Sequence, residues 1–357
     1  MVNRSNGNLG TGIGLVALFA LAFAVVAVPL SLALRARAPA PAMIVLSPKL
    51  EIYSERPKAF DTVFVGTSRT YYHIVPRIIE NAVEAAGCKR PSVFNFGVFG
   101  LTGAEQSWLI EKIQRIGDGA LSHLVFEHAL PEARNFAQVT DVRSRYFHGP
   151  AHYSSISKSI WSMPEIGPKR IFRGGIAILG IGYDLSGIGR ASEALFPSTE
   201  DALDETETFL RESGFSALDE EVVPDIIERG LAFSADPEAF ARLKAQRTSE
   251  DLPNAPARAS YLAEQAAALT VNGIRNGIFF PPNILDEDPK RRLVTAIEIA
   301  SPETIVIDYS RPEEYPDLFI QSLWFDDAHL GREGATLLSA EVGKDLCQSG
   351  FFERQPG

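Results

Sequence analysis

The chain has 357 residues, 45% of them hydrophobic and 22% charged, which supplies ample core material and excludes a disordered protein. A formal charge of −11 excludes a nucleic-acid groove, because phosphate contacts need clustered Lys and Arg. The two cysteines, Cys88 and Cys347, are far apart and no Cys/His cluster has zinc spacing, so neither a metal nor a cofactor is expected.

Residues 11–34, "TGIGLVALFALAFAVVAVPLSLAL", carry no charge and are long enough to cross a hydrocarbon core of ~30 Å. Apolar residues occupy every face rather than one stripe, as in a membrane helix. The segment predicts a single transmembrane helix behind a cytoplasmic tail at 1–10. A cleaved signal peptide is the alternative, but its apolar region is normally ~7–15 residues, and "RARAPAPA" is a poor cleavage context. Arg4 on one side and Arg35 and Arg37 on the other leave orientation undecided by charge. The soluble part is placed outside on the strength of the chemistry below. Residues 35–60 read as a Pro- and Ala-containing linker. An outside location allows a Cys88–Cys347 disulfide, although free buried cysteines are the default expectation.

Beyond the linker, strand and helix patterns alternate. "TVFVG" (62–66) is a short apolar strand, and 76–87 is a helix starting at Pro76 and stopping at Gly87. Strand 92–97, helix 103–117 and strand 122–127 follow. After residue 256 come helix 257–273, strand 277–282, helix 288–300, strand 304–309 and helix 331–346. Such alternation implies βαβ units, and hence a three-layer α/β/α sandwich around a parallel sheet of about five strands. The two core parts are 61–130 and 257–350. Between them, 131–256 lacks the alternation and is too long for a plain loop. It is expected as a mostly helical insertion over the carboxyl edge of the sheet, with an apolar island at 171–185.

Three segments fall at that edge: "FVGTSR" (64–69), "FNFGVFGLTGAEQ" (94–106) and "WFDDAHLGREGA" (324–335). A strand that stops on Gly66-Thr67-Ser68 is either a nucleophile turn or a strand-to-helix junction capped by Thr67 or Ser68. A serine hydroxyl becomes a useful nucleophile only when a neutral imidazole takes its proton and a carboxylate orients that imidazole. His329 and Asp326 supply both on one short loop. Asp326 is preferred to Asp327 because two intervening residues let the carboxylate sit behind the ring. The backbone N–H groups of Ser68 and Gly100 are candidate oxyanion donors. Arg69, next to Ser68, suits an anionic substrate or a plain surface position. Arg143, Arg145, His148 and His152 form a polar cluster at the start of the insertion.

These blocks resemble those of the SGNH (GDSL-type) hydrolase superfamily. Gly66-Thr67-Ser68-Arg69 is similar to its first block, Asn95 through Gly100 to its glycine block, and Asp326-Asp327-Ala328-His329 to its closing Asp-x-x-His. The resemblance implies a flavodoxin-like SGNH fold. It also implies Ser68 as nucleophile, Asp326 and His329 as its partners, and Gly100 as oxyanion donor, with Asn95 of the same block among the oxyanion and substrate-binding groups. The superfamily's Asn after strand three is replaced by Glu127 and His128, so His128 becomes a candidate donor in place of an amide. With the amino-terminal helix, the layout is similar to membrane-anchored envelope acyl-transfer members such as D-alanyl transfer proteins. That likeness implies an acyltransferase or esterase on the periplasmic side of the inner membrane. It would act on O-acyl groups of an envelope polysaccharide, with an integral membrane acyltransferase as candidate partner. The other readings are an inactive glycan-binding or assembly protein of the same fold, and a plain soluble esterase.

Overall fold

Short β-branched and aromatic runs form strands, and the amphipathic stretches between them return as helices. The computed structural model describes residues 45–129, 206–220, 223–245, 255–284 and 290–355, together with scattered positions within 14–43 and 147–179. In chain order the elements are α1 (Leu46–Glu55), β1 (Thr62–Gly66), α2 (Ser68–His73), α3 (Pro76–Ala85), β2 (Val93–Gly97), α4 (Gly103–Gly117) and β3 (His123–Glu127). Then come α5 (Thr206–Glu212), α6 (Pro224–Ser234), α7 (Pro237–Ala245), α8 (Ala255–Val271), β4 (Arg275–Phe280), α9 (Lys290–Ala300), β5 (Ile305–Asp308) and α10 (Arg332–Gln348).

The strands form one parallel five-stranded sheet in the order β2-β1-β3-β4-β5. The chain runs outward from β1 to β2 and then crosses back to β3. Neighbouring crossovers therefore leave the sheet in opposite directions between β1 and β3, and a crevice opens there at the carboxyl ends. Alternation along each strand separates two apolar faces. On one face Phe64, Val93, Val125, Phe279 and Ile307 are buried in a cluster that includes Ile79 and Val83 of α3 and Leu338, Val342 and Leu346 of α10. On the other, Phe94 and Phe96 pack on Tyr53 of α1, and Ser107 of α4 and Tyr261 of α8 share a hydrogen bond.

Two expectations change here. Part of the expected linker at 35–60 is α1, which buries Leu46, Lys49, Leu50, Ile52 and Tyr53. Cys88 and Cys347, expected as free thiols, form a disulfide that closes a sequence separation of 259 residues. The β2-side end of α3 and the last turn of α10 pack together, which brings the two sulfurs within bonding reach. Replacing both cysteines with serine is expected to cost about 2–5 kcal/mol, because the unfolded chain regains the entropy of a very long loop. Thermal melts should show a midpoint lower by on the order of 10 °C, and reductant should lower the parent protein toward the double mutant.

The chain divides into two compact units, Met1–Met43 with Ala133–Ile160 and Ile166–Asp201, and Ile44–Glu132 with Trp161–Glu165 and Ala202–Gly357. The expected insertion is therefore split, and its part from 202 onward belongs to the sheet unit. In the first unit the described residues between Gly14 and Ala33 are helical, and Leu15, Phe19, Phe23, Val26 and Leu30 among them are exposed. No helix built from described residues is long and apolar enough to cross a membrane; the other residues of 11–34, and all of 1–10, lie outside the described set. Described residues within 168–179 are also helical, with Ile171, Phe172, Ile178 and Leu179 exposed. Arg143, Arg145, His148 and His152 lie outside the described residues.

Candidate active site

β1 ends at Gly66 because the next backbone groups are taken from the sheet by side chains. Thr67 is the N-cap of α2, its Oγ1 accepting from Arg69 N–H at 3.3 Å, so Ser68 becomes the first helical residue. The Thr67 N–H donates to Glu127 Oε2 at 2.7 Å, and the hydroxyls of Thr67 and Thr70 each donate to the same carboxylate at 2.9 Å. A Cβ at Gly66 would lie 2.0 Å from Thr70 Oγ1 and 2.7 Å from Glu127 Cβ, so only glycine fits beneath this network. The strand-to-helix junction is therefore a capped helix start, with Ser68 at its first position.

Under the turn, Asn95 fixes α2 to β2. Its amide donates to the carbonyls of Thr70, Tyr71 and Ile74 at 2.8, 3.2 and 2.7 Å, and its Oδ1 accepts from Gly97 N–H at 2.7 Å. With every amide hydrogen committed to backbone and the side chain fully buried, Asn95 is a scaffold residue, which corrects its expected place among substrate-binding groups. Lys49 of α1 reinforces the same junction: its Nζ donates to Gly97 O at 2.9 Å and stands 4.2 Å from the Tyr71 ring centroid.

The loop between β5 and α10 carries the other two groups. Trp324 and Leu330 pair as an isolated antiparallel bridge, and the Trp324 indole N–H donates to Leu318 O at 2.9 Å. Within the loop, Asp326 Oδ1 accepts from the N–H groups of Ala328 and His329, both at 2.8 Å. The carboxylate meets His329 Nδ1 at 2.9 Å through Oδ1 and 3.2 Å through Oδ2. The other ring nitrogen, Nε2, lies 2.9 Å from Ser68 Oγ. Since Nδ1 faces a carboxylate it carries the proton, and Nε2 is left to accept from the serine hydroxyl. Asp327, by contrast, is exposed.

Electrostatics favour that proton arrangement. Burial pushes the Asp326 carboxyl up, but the hydrogen bond and charge of His329, the Ala328 N–H and the Arg229 guanidinium outweigh it and hold the group below the usual carboxylate range. A second histidine, His73, is fully buried with its ring centroid 6.1 Å from that of His329. Burial, and then the charges of His329 and Arg69, push its pKa well below the ordinary value. It stays neutral, and its Nε2 accepts from Leu330 N–H at 2.9 Å, which ties the histidine loop to α2.

The remaining candidates fall around this trio. Gly100 is exposed at φ +56, with open space where a Cβ would stand. Its neighbour Phe99 packs on Tyr72, whose ring meets His329 edge-on at 5.6 Å, so the Gly100 turn borders the imidazole. Arg69 is partly buried next to Ser68. His128 stacks flat on Phe280 with centroids 4.4 Å apart, which places its ring toward the β4 end of the edge.

In sequence Glu127 reads only as a residue at the end of strand three; in the structure its carboxylate underlies the turn. Glu127→Ala leaves Thr67 N–H and two hydroxyls without their acceptor and is expected to cost about 3 kcal/mol. Glu127→Gln retains one acceptor oxygen and should cost about 1 kcal/mol; chemical denaturation of the two variants checks the order. Arg229 was missed altogether. It reaches the site from α6, its Nε 2.9 Å from Asp326 Oδ2, and no local pattern around it in the sequence announces this.

Fold and site together define a doubly wound α/β protein with a serine–histidine–aspartate relay at its topological switch point. Compared with known proteins, the chain matches no family model and no curated sequence.

Proposed function

We propose that the protein is a membrane-anchored serine acyltransferase or esterase of SGNH type, working outside the cytoplasmic membrane on O-acyl groups of an envelope polysaccharide. The observation that carries this reading is the continuous relay from Ser68 Oγ through His329 to Asp326, with contacts of 2.9 Å at both steps. In the mechanism, His329 Nε2 takes the hydroxyl proton as Ser68 Oγ attacks the ester carbonyl, and Asp326 stabilises the imidazolium that forms. The tetrahedral oxyanion is met by the N–H of Ser68, for which α2 offers no acceptor at its first position, and by that of Gly100 across the open turn. Collapse expels the alcohol with the proton from His329 and leaves an acyl-serine. A sugar hydroxyl or water, deprotonated by the same imidazole, then resolves it.

Location is supported by two features of different kinds. The uncharged run at 11–34 fits a membrane anchor, and a disulfide is expected to persist only where thiols are not kept reduced. An integral membrane acyltransferase remains the candidate partner.

One observation favours a second reading, an inactive glycan-binding or assembly protein. Glu127 stands where a side-chain oxyanion donor is expected, and its carboxylate only accepts. Reaction of the full-length protein with a fluorophosphonate probe separates the two. The enzyme is labelled on the peptide carrying Ser68, and a binding protein stays unlabelled. Intact mass after incubation with an activated acetyl ester then reports the acyl-serine directly.

A further inference from the structure

The inserted helices reach the Asp–His loop at several points. The Asp219 carboxylate accepts from Arg332 N–H at 3.0 Å and so caps the start of α10, two residues after Leu330. Gln321 donates to Phe233 O of α6 at 3.3 Å, and Phe240 of α7 packs against Trp324 with centroids 6.2 Å apart. The closest approach is by α6. A Cβ at Gly230 would meet the Phe325 ring at 2.5 Å, so that helix sits flush on the residue preceding Asp326. One position earlier, the half-exposed Arg229 side chain bonds Oδ2 of the buried Asp326 carboxylate at 2.9 Å.

We infer that Arg229 is a positioning residue for the relay: anchored by α6, it fixes Asp326 through Oδ2 with Oδ1 aimed at His329 Nδ1, making the inserted helices part of the catalytic apparatus. The inference rests on the acyl-serine reading and deepens it. Four acceptor contacts, from Arg229, Ala328, His329 N–H and His329 Nδ1, satisfy the carboxylate from separate directions and leave it one orientation. The guanidinium also offsets part of the carboxylate charge, which by itself favours the protonated imidazole. Among the described residues, the other ionisable groups beside the pair come from α2: the rings of Tyr72 and His73, with centroids 5.6 and 6.1 Å from that of His329, and Arg69 next to Ser68. Because Arg229 is half-exposed, water screens its charge, so the electrostatic part is modest and the geometric part dominates.

The test compares the full-length protein with Arg229→Gln and Arg229→Lys, reading the second-order rate of fluorophosphonate labelling across pH. Arg229→Gln is expected to label about tenfold more slowly at neutral pH, because the imidazole loses its fixed orientation. The acid limb of its profile should move to higher pH, since an unneutralised carboxylate favours the protonated ring. Arg229→Lys restores the charge without the fixed fork and should recover much of the limb position and part of the rate. An unchanged rate and profile in Arg229→Gln overturns the inference, as does a loss that tracks a lower melting temperature and that Arg229→Lys does not relieve. A downfield proton resonance from the His329–Asp326 hydrogen bond provides a readout independent of catalysis. Should the parent protein fail to label while that resonance is present and is lost or displaced in Arg229→Gln, the acyl-serine reading falls and the positioning role of Arg229 stands. The same resonance in both proteins overturns the role whatever the labelling.

Discussion

Ser68→Ala is expected to abolish fluorophosphonate labelling, and His329→Ala to slow it by roughly 10³–10⁴-fold, the scale on which triad members act. The serine variant removes the atom to which phosphorus would bond. The histidine variant leaves the hydroxyl in place but takes away the ring nitrogen 2.9 Å from it. Asp326→Asn should fall by roughly 10²–10⁴-fold with the loop intact, because an amide oxygen at the Oδ1 position still accepts from Ala328 and His329 N–H. What it loses is the charge that fixes the tautomer, and its amide nitrogen would face Arg229. Asp327→Asn is the matching control and should label at the parent rate, since that side chain is exposed. Labelling of Ser68→Ala at the parent rate, or equal losses from the two aspartates, would remove the basis for acyl transfer.

The parts of this site that the sequence discloses are those fixed by local spacing or by sheet topology. Asp326 and His329 are three residues apart, so one tight loop suffices to bring carboxylate and ring together. Ser68 and His329 are 261 positions apart, and only the inference of a parallel sheet places both at one edge. Strand runs such as 62–66 are legible because all five positions are buried and Val63, Phe64 and Val65 fill the middle with β-branched and aromatic side chains. Helix α1 is not, because its buried stripe contains Lys49, whose charge disguises an otherwise apolar spacing. The lysine is held there by Gly97 O and the Tyr71 ring, and neither is visible from its neighbours in sequence. The disulfide and Arg229 were illegible for the same reason. Each depends on how a distant helix docks, and a single cysteine or arginine among ordinary helix formers carries no periodic signal.

The Asn95–Gly100 block is a different case, because its residues are legible as a unit while their division of labour is not. Gly97→Ala is expected to be severely damaging, giving little folded material or a loss upward of ~4 kcal/mol. A Cβ at Gly97 would stand 2.1 Å from Tyr71 N and 2.3 Å from Tyr71 Cα. Those atoms are backbone of α2, already drawn onto β2 by the three carbonyls that Asn95 binds. No rotamer change relieves such a clash. Either α2 lifts off the sheet and carries Ser68 with it, or β2 leaves its register with β1, where Gly66 pairs with Gly97. Gly100→Ala makes the informative comparison. Nothing occupies the space beside Gly100, and the added cost is only that of a left-handed backbone at φ +56, about 1–2 kcal/mol. That variant should fold, and any fall in its labelling rate then reports on the oxyanion turn rather than on the scaffold. Yield and melting temperature of the two alanine variants, measured side by side, separate the glycine that lets the serine helix touch the sheet from the glycine of the open turn beside it.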